Sequence, residues 1–493
     1  MKRIKSFLAF LYDHLEYIFG AILFVGVFYL AFAQGSYADV NFNPQTAYVD
    51  KIFDQSYVHK IEIELTADNL DNLRDNPVEK TKYLSNVTID GEKFRDIAFS
   101  TRGNASLFAL ADDSNTDRYS YKLNFGKFSD HGSYYGLDKI ILNNIYADAS
   151  FMKDFLAFEI MRTAGVASPL SAYTELYING EYQGLYLAVE DLDQSFLRRN
   201  NFAADSVLYK PEALGIDHAK LKNLRDQLPE DEDLDIVFDT GDPDFDYAGS
   251  DLVYRGDAPD AYKAVFDNAI SKISPRDQDY LITSIRSLEP AEFLDPNDFW
   301  DVDALANYFA ANNLLSNFDS YTGTTAHNYY LLADQGRNTL LPWDYNLGFA
   351  GVWIESSTLV YDEAVINWPI DSPLTYNNPN TRPVWRLIFE TPENLAKYHQ
   401  SMQRLLDNYL LNGACVEKIT DTAELIRSYV YADPTRFYST DEFEDVVETL
   451  RSFVVARADS AQKQLWGLLP RSREEADSGN FQFIDLDTPI IDE

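Results

Sequence analysis

Alternating hydrophobicity between residues 58 and 190 is the feature that most constrains how this 493-residue chain can fold. Val58–Leu65 alternates apolar and polar side chains, which is typical of a strand with one buried face. Asp90-Gly91 and Asn179-Gly180 interrupt further segments of this kind, and these pairs tolerate the positive φ angles that tight hairpin turns need. The sequence therefore predicts a β-rich region over residues 58–190.

Helical periodicity replaces this alternation further along the chain. Ser150–Thr163 places its apolar residues at helical spacing behind a serine that can cap the helix. Asp298–Leu315 and several segments between Thr381 and Leu468 show the same spacing. The predicted fold class is therefore α+β, with a β-rich amino-terminal lobe over 58–190 and a mainly helical carboxy-terminal lobe over 191–470.

Two acidic segments follow neither pattern. Residues 229–257 contain eleven carboxylates and one arginine, which predicts a solvated insertion in the helical lobe. The spacing Asp242-x-Asp244-x-Asp246 is similar to the opening of a calcium loop, but Tyr247 and Val253 stand where that loop needs Gly and Glu. Residues 471–493 are polar and acidic, and we expect a disordered tail there.

The amino terminus contains the longest apolar run. Residues 17–33 are uncharged and follow three basic residues among the first five positions. A helix of this length spans about 25 Å, which is short for a transmembrane anchor, whereas Ala31-Phe32-Ala33 has the form of a signal-peptidase site. The sequence predicts that residues 1–34 anchor the chain in a membrane or are removed by cleavage near Ala33. In both cases residues 35–57 are a linker, and the main body lies outside the cytoplasm.

Composition excludes several classes of function. The chain has 79 acidic and 41 basic side chains and a net charge of −38 at pH 7, so we expect no nucleic-acid partner. Its single cysteine, Cys415, excludes an internal disulfide and a thiolate zinc centre, and six scattered histidines argue against a histidine metal site. A metal would need oxygen ligands from Asp, Glu or Asn, which favours Mg²⁺, Mn²⁺ or Ca²⁺.

Three groups of motifs occur in a fixed order along residues 58–350. They are Arg102-Gly103-Asn104 with Tyr121-Lys122-Leu123, then Tyr177-Ile178-Asn179-Gly180 with Gly184-Leu185-Tyr186 and Glu190, and finally His327-Asn328-Tyr329-Tyr330 with Pro342-Trp343-Asp344-Tyr345-Asn346. Together they resemble the CotH kinase family, the atypical protein kinases similar to spore coat protein H. The resemblance implies a divergent, two-lobed protein-kinase-like fold that binds ATP with Mg²⁺ or Mn²⁺ and phosphorylates proteins on Ser or Thr.

Lys122 lies in the middle of a predicted strand, on the face opposite Tyr121 and Leu123. Such a lysine pairs with phosphate oxygens when it faces a site, and otherwise it is a solvent-facing edge residue. In kinase-like sites a helix carboxylate holds this lysine, and the helix over 150–163 offers Asp154 and Glu159. Periodicity puts Glu159 on the apolar side and Asp154 on the flank, which favours Glu159, although the resemblance does not decide between them.

The resemblance also implies roles for residues near the middle of the chain. Asp319 matches the catalytic aspartate of the family, which orients or deprotonates the substrate hydroxyl. Asp344 matches the metal-binding aspartate of the Pro-Trp-Asp motif, and Asn328 is expected to be a neutral second ligand. Some family members have an acid at the position of Asn346. Its amide oxygen still binds Mg²⁺, but the site then has one negative charge less.

Two further residues are expected near the nucleotide. Glu190 ends a strand where the two lobes would join, and either it accepts hydrogen bonds from a ribose or amino group or it caps the next helix. Arg102 either holds a phosphate or fixes a turn.

These residues favour a membrane-anchored, extracytoplasmic protein kinase that uses Lys122, Asp319 and Asp344 on a protein substrate. The alternative is a catalytically silent, kinase-like scaffold that organises a cell-surface or coat assembly, because Asn346 weakens the metal site and ATP is scarce outside the cytoplasm. A glycan-binding or glycan-modifying surface protein is a third hypothesis. It lacks a carboxylate pair fixed at the spacing that glycosidases require.

Overall fold

The computed structural model describes residues 46–128, 132–212, 247–290, 293–351, 361–375, 378–479 and 481–484. The predicted anchor and most of the acidic insertion lie outside these residues. Within the ranges given, no helix is both long enough and apolar enough to cross a membrane.

The amino-terminal half is built around a β-barrel. Its strands are β1 (His59–Glu64), β2 (Tyr83–Ile89), β3 (Glu92–Arg102), β4 (Ser120–Asn124), β5 (Lys139–Asn143), β6 (Ser171–Ile178) and β7 (Glu181–Glu190). They close in the order β1-β2-β3-β4-β5-β7-β6. Strand β1 runs parallel to β6, whereas β2 to β5 and β7 pair antiparallel with their neighbours. The α+β class is thus confirmed, and its β-rich part is a closed barrel that the sequence analysis did not anticipate.

Both predicted hairpin turns are present. Asp90 and Gly91 join β2 to β3 with φ angles of 49° and 85°, and Asn179 and Gly180 join β6 to β7 with 50° and 82°. Two consecutive residues with positive φ define the turn whose twist matches that of the flanking strands. The turn chemistry thereby fixes the register of the two hairpins.

In the part of the chain that the structure describes, four α-helices accompany the barrel and nine follow it. The first four are α1 (Ala67–Asp75), α2 (Ala105–Ala111), α3 (Lys153–Thr163) and α4 (Gln194–Arg199). The others that the described residues contain are α5 (Lys263–Phe266), α6 (Pro275–Arg286), α7 (Val302–Leu314), α8 (Tyr361–Ile366), α9 (Pro383–Phe389), α10 (Pro392–Leu405), α11 (Ala414–Ala432), α12 (Thr440–Leu465) and α13 (Arg473–Ser478). A second sheet has the order β10-β9-β8, from β8 (Val207–Tyr209), β9 (Tyr329–Asp334) and β10 (Arg337–Pro342).

Two hydrophobic cores organise these elements. One fills the barrel with inward side chains such as Phe99, Leu123 and Ile140. The other lies outside the barrel, where α3, α7 and the carboxy-terminal helices pack on residues such as Ile141 and Val189. Adjacent strand residues therefore serve different cores, because successive side chains of a strand point to opposite faces.

Helix α7 passes through the second core. Most of its residues are buried, and it packs against α10, α3, α9 and β10. The Asp301 side chain caps it by accepting a hydrogen bond from the backbone N–H of Ala304 at 3.0 Å, a contact worth about 1 kcal/mol. The loop that follows this helix contains Asp319.

The carboxy-terminal segment differs from the expectation of a disordered tail from residue 471. Its first part forms α13, which Ser472 caps by accepting from the backbone N–H of Glu475. The guanidinium of Arg473 donates to the backbone oxygen of Leu374 at 2.8 Å. This capping and this contact hold residues 472–478 against the helical half.

Candidate active site

Lys122 lies on β4 and points out of the barrel. Its neighbours Tyr121 and Leu123 are buried in the barrel core, so alternation places Lys122 on the outer face, as predicted. Its ammonium lies 2.9 Å from Oδ2 of Asp191, just past the end of β7. Lys139, on the adjacent strand β5, pairs with Asp193 at 3.0 Å and lies 3.9 Å from Asp191.

The carboxylate partner of Lys122 differs from both candidates on α3. Glu159 instead pairs with Arg162, one turn later on the same helix, at 2.6 Å. Asp154 accepts from the side chain of Asn143 and from the backbone N–H of Tyr345. The prediction that Glu159 lies on the apolar side of α3 and Asp154 on its flank is wrong, because Asp154 is buried and the Glu159 side chain is 28% exposed. Helical periodicity also cannot locate the strand end that brings Asp191 to Lys122.

The Lys122–Asp191 pair is stabilised by its surroundings. Burial alone would raise the pKa of Asp191, but the positive charges of Lys122 and Lys139 outweigh it and hold this pKa below its ordinary value. The Asp191 side chain is only 8% exposed, whereas that of Lys122 is 29% exposed. The lysine therefore keeps an accessible edge, while its partner is fixed in place.

Glu190 is not available to a ligand. It is fully buried, and its carboxylate accepts from Arg199, from the hydroxyl of Tyr48 at 2.5 Å and from the backbone N–H of Leu170 at 3.2 Å. Helix α4 is capped by Asp193 rather than by Glu190. Neither role expected for Glu190 is therefore seen, because this side chain belongs to an internal ion pair at the end of the barrel.

Asp344 follows β10 directly after Pro342 and Trp343, with a left-handed φ of 58°. Its negative charge acts on two other carboxylates. Burial raises the pKa of Asp154 to about 8, and Asp344 contributes to this rise. Burial likewise raises the pKa of Asp319, again with a contribution from Asp344. The charge of Asp344 therefore acts both on Asp154 of α3 and on Asp319 in the loop after α7.

Asp319 is held by two side chains of the His327-Asn328 motif. The amide of Asn328 donates to Oδ2 of Asp319 at 2.8 Å, and Nε2 of His327 lies 3.3 Å from Oδ1. Asn328 has a left-handed φ of 54°, which turns the chain just before β9. The expected proximity of Asp319 and Asn328 is present, and the amide oxygen of Asn328 remains a candidate metal ligand.

The loop over 344–346 is attached to the barrel side of the molecule. The backbone N–H of Tyr345 donates to Asp154 at 2.6 Å, and the amide of Asn346 donates to the backbone oxygen of Tyr146 at 3.1 Å. Asn346 therefore keeps its amide oxygen for a ligand while its nitrogen fixes the loop. Asp154, expected to hold a lysine, positions the Asp344 loop instead.

Arg102 connects the cationic and acidic parts of the site. Its guanidinium lies over the ring of Trp343, 4.9 Å from the centroid, beside the acidic loop. Its positive charge opposes the rise in the pKa of Asp154 and helps to lower that of Asp191. This contact is compatible with both predicted roles of Arg102, a phosphate ligand and a residue that fixes a turn.

The site offers some of the oxygen ligands that a divalent cation needs, but not a complete set. In the part of the chain that the structure describes, no group of three His, Cys, Asp or Glu side chains could hold a metal ion by itself. Asp344 supplies a carboxylate, Asn346 lies two residues further along the same loop, and Asn328 is hydrogen-bonded to Asp319. This set fits Mg²⁺, which usually retains waters and takes ligands from substrate phosphates.

A sequence model described as CotH kinase protein matches residues 99–461. The chain belongs to the CotH kinase family. Inner spore coat protein H of Bacillus subtilis (strain 168) is 22% identical to it over 356 residues, which cover 71% of this chain and 86% of that protein. The family assignment from the three motif groups is thus confirmed.

Sequence reasoning missed Asp191, Asp193 and Lys139. A signal existed for Asp191, because it follows Glu190 at the end of an alternating strand and so points to the opposite face. Alternation along the strand could not identify Lys122 as the partner of Asp191, because β5 lies between β4 and β7 in the barrel.

Proposed function

We propose that this CotH-family chain is a protein kinase that transfers the γ-phosphate of ATP to a Ser or Thr hydroxyl of a protein substrate. The observation that carries the proposal is the contact of the Arg102 guanidinium with the Trp343 ring, 4.9 Å from its centroid, which puts a cation beside the Asp344 loop. The charge of Arg102 also helps to lower the pKa of Lys122, and that of Asp344 helps to raise the pKa of Asp319. Cations that can neutralise phosphates and acids that can hold a metal and a hydroxyl are the two requirements of phosphoryl transfer.

Each side chain then has a defined task. Lys122 and Arg102 bind phosphate oxygens, and Asp344 would hold the divalent cation, with the amide oxygens of Asn328 and Asn346 as further ligands. Mg²⁺ or Mn²⁺ supplies charge neutralisation when bound. Asp319 accepts the hydroxyl proton of the acceptor as its oxygen bonds to the γ-phosphorus and the bond to the bridging β,γ-oxygen breaks, which leaves ADP.

The environment of Asp319 suits this task. Burial raises its pKa, which makes its carboxylate a stronger base than an exposed aspartate. The Asn328 amide at Oδ2 orients the carboxylate, and His327 at Oδ1 offsets part of the rise in pKa.

The test is transfer of radiolabelled γ-phosphate from ATP to the chain itself and to dephosphorylated casein, with Mg²⁺ and with Mn²⁺. We expect Asp344→Ala and Asp319→Asn each to reduce transfer by about a thousandfold. Asp459→Asn, in an exposed ion pair with Lys463 on α12, is the matched control and should leave it unchanged. Equal labelling by wild type and Asp344→Ala would refute the proposal.

A catalytically silent scaffold is the second candidate, and Asn346 favours it because the metal site lacks an acid there. ATP binding without any transfer, together with full biological function in an Asp319→Asn strain, would support the scaffold over the kinase.

For location, we propose that residues 1–34 place the main body outside the cytoplasm, either as a membrane anchor or as a cleaved signal. Amino-terminal sequencing of the mature chain separates these two cases. A new terminus near residue 34 identifies cleavage.

A further inference from the structure

Among the described residues, Arg102 at the end of β3 and Lys80, which contacts the loop that follows, have no carboxylate partner. Arg102 and Lys80 form no ion pair within the described residues, although the chain has almost two carboxylates for every base. Lys122 and Lys210 nearby are paired, with Asp191 and Glu212. In so acidic a protein, neighbouring cations that lack acidic partners indicate a site for an external anion.

Lys80 is held in position rather than being a free surface residue. It follows a short 3₁₀ turn over Pro77–Glu79 and adopts a left-handed φ of 52°. Its ammonium donates to the side-chain oxygen of Asn104 at 2.8 Å. The hydroxyl of Thr101 donates to the backbone oxygen of Pro77 at 2.5 Å. Residues 77–80 are thereby attached to the Arg102-Gly103-Asn104 loop, and the Lys80 ammonium is directed to it.

The electrostatic surroundings of Lys80 are dominated by other cations. Burial lowers its pKa, and the charges of Lys210, Arg102 and Lys122 lower it further. Glu212 offsets part of this effect, but its carboxylate is already paired with Lys210. Gathering four cations in one region is unfavourable in the free protein, and a bound polyanion would relieve the repulsion.

We propose that Lys80, together with Arg102, binds a phosphate group of the nucleotide. The inference rests on the kinase function proposed above and adds a binding residue that lies outside residues 99–461, the range that the family model matches. A nucleotide phosphate is favoured over an acidic acceptor peptide because the cluster includes Lys122 and adjoins Trp343 and Asp344, where the metal that bridges phosphates would bind.

The experiment is calorimetric titration of the full-length chain in detergent with ATP, ADP and AMP, each with Mg²⁺. Lys80→Gln should weaken ATP binding about tenfold and leave AMP binding within about twofold of wild type, because only the longer phosphate chain reaches the cluster. Lys80→Arg should retain most of the ATP affinity. Lys82→Gln removes an exposed lysine two positions away and should change neither affinity.

Each other outcome overturns the inference in a recognisable way. If wild type and Lys80→Gln bind ATP equally, Lys80 is not a phosphate ligand, and the kinase proposal stands. If ATP and AMP affinities fall together, the substitution affects the fold, which a thermal melt checks. A defect confined to casein binding would assign the cluster to the acceptor. If wild type binds no nucleotide, the proposed kinase function is refuted, and the inference about Lys80 is refuted with it.

Discussion

The contact around Arg118 and the candidate site around Lys122 are built from the same kinds of charge but differ in how completely those charges are paired. Arg118 donates to Asp433 at 2.7 Å, to the hydroxyl of Thr435 at 2.6 Å and to the backbone oxygen of Asn144 at 3.0 Å, and both members of the ion pair are almost fully buried. Around Lys122, by contrast, Arg102 and Lys80 have no acidic partner among the described residues.

This difference separates structural charges from functional ones. Asp433 also accepts from the backbone N–H of Leu185 at 2.9 Å, so the Arg118 contact ties the barrel to the segment after α11. Gly184 has a φ of 106°, and a side chain there would collide with Arg118 and Asp433. Fully paired buried charges stabilise one arrangement of the chain. Charges that lack partners can still form favourable interactions with a bound ligand.

Breaking the Arg118 contact should cause the largest loss of stability. Arg118→Met leaves Asp433 buried without its counter-ion and should reduce the free energy of unfolding by about 4 kcal/mol. Urea denaturation measures this change. Arg451→Met removes an exposed ion pair with Glu448 and should cost less than about 1 kcal/mol. Similar losses in both variants would mean that the Arg118 contact is not structural.

Removal of the carboxylate that pairs with Lys122 should have an intermediate effect, which is measured on ATP binding. Asp191→Asn should weaken ATP binding by about tenfold, because Lys122 and Lys139 lose the carboxylate that positions them. Glu159→Gln, which removes only the pair with Arg162, should leave ATP binding within about twofold of wild type. Calorimetry compares the two variants. If Glu159→Gln weakened ATP binding more than Asp191→Asn does, Glu159 would be the functional partner of Lys122, as helical periodicity predicted.

Asp154 gives an effect on stability that changes with pH. Its pKa of about 8 in the folded chain lies above the ordinary aspartate value, so the folded state holds this proton to a higher pH than the unfolded state does. Stability should therefore fall as pH rises from about 4 to about 8, with a slope of up to about 1.4 kcal/mol per pH unit from this group.

Asp154→Asn should remove that part of the pH dependence and make the variant more stable than wild type at pH 8. Thermal melts from pH 5 to pH 8 measure the stability of both proteins. The buffer contains EDTA, which removes any divalent cation. The exposed Asp445→Asn is the control and should follow the wild-type profile. Parallel profiles for Asp154→Asn and wild type would show that Asp154 is ionised across this range.

Parts of the site could be predicted because their signals are local or lie in short motifs. Alternation placed Lys122 opposite Tyr121 and Leu123, and the two hairpin turns follow from their Asp-Gly and Asn-Gly pairs. The motif resemblance selected Asp319 and Asp344, and the structure places Asp344 close enough to Asp319 to raise its pKa. Glu190 was selected for the same site by its motif, and the structure assigns it to Arg199 instead.

The amino-acid pattern was enough to predict the α+β class, the two hairpin turns, the position of Lys122 on the face opposite Tyr121 and Leu123, and the family. Only the tertiary structure decided that the strands close into a barrel, that Asp191 rather than Glu159 faces Lys122, and that Lys80 reaches Arg102. The difference lies in how far apart in the sequence the interacting residues are. Side-chain direction along a strand or helix repeats every few residues, whereas the partner of a charge depends on which distant strand ends the fold brings together.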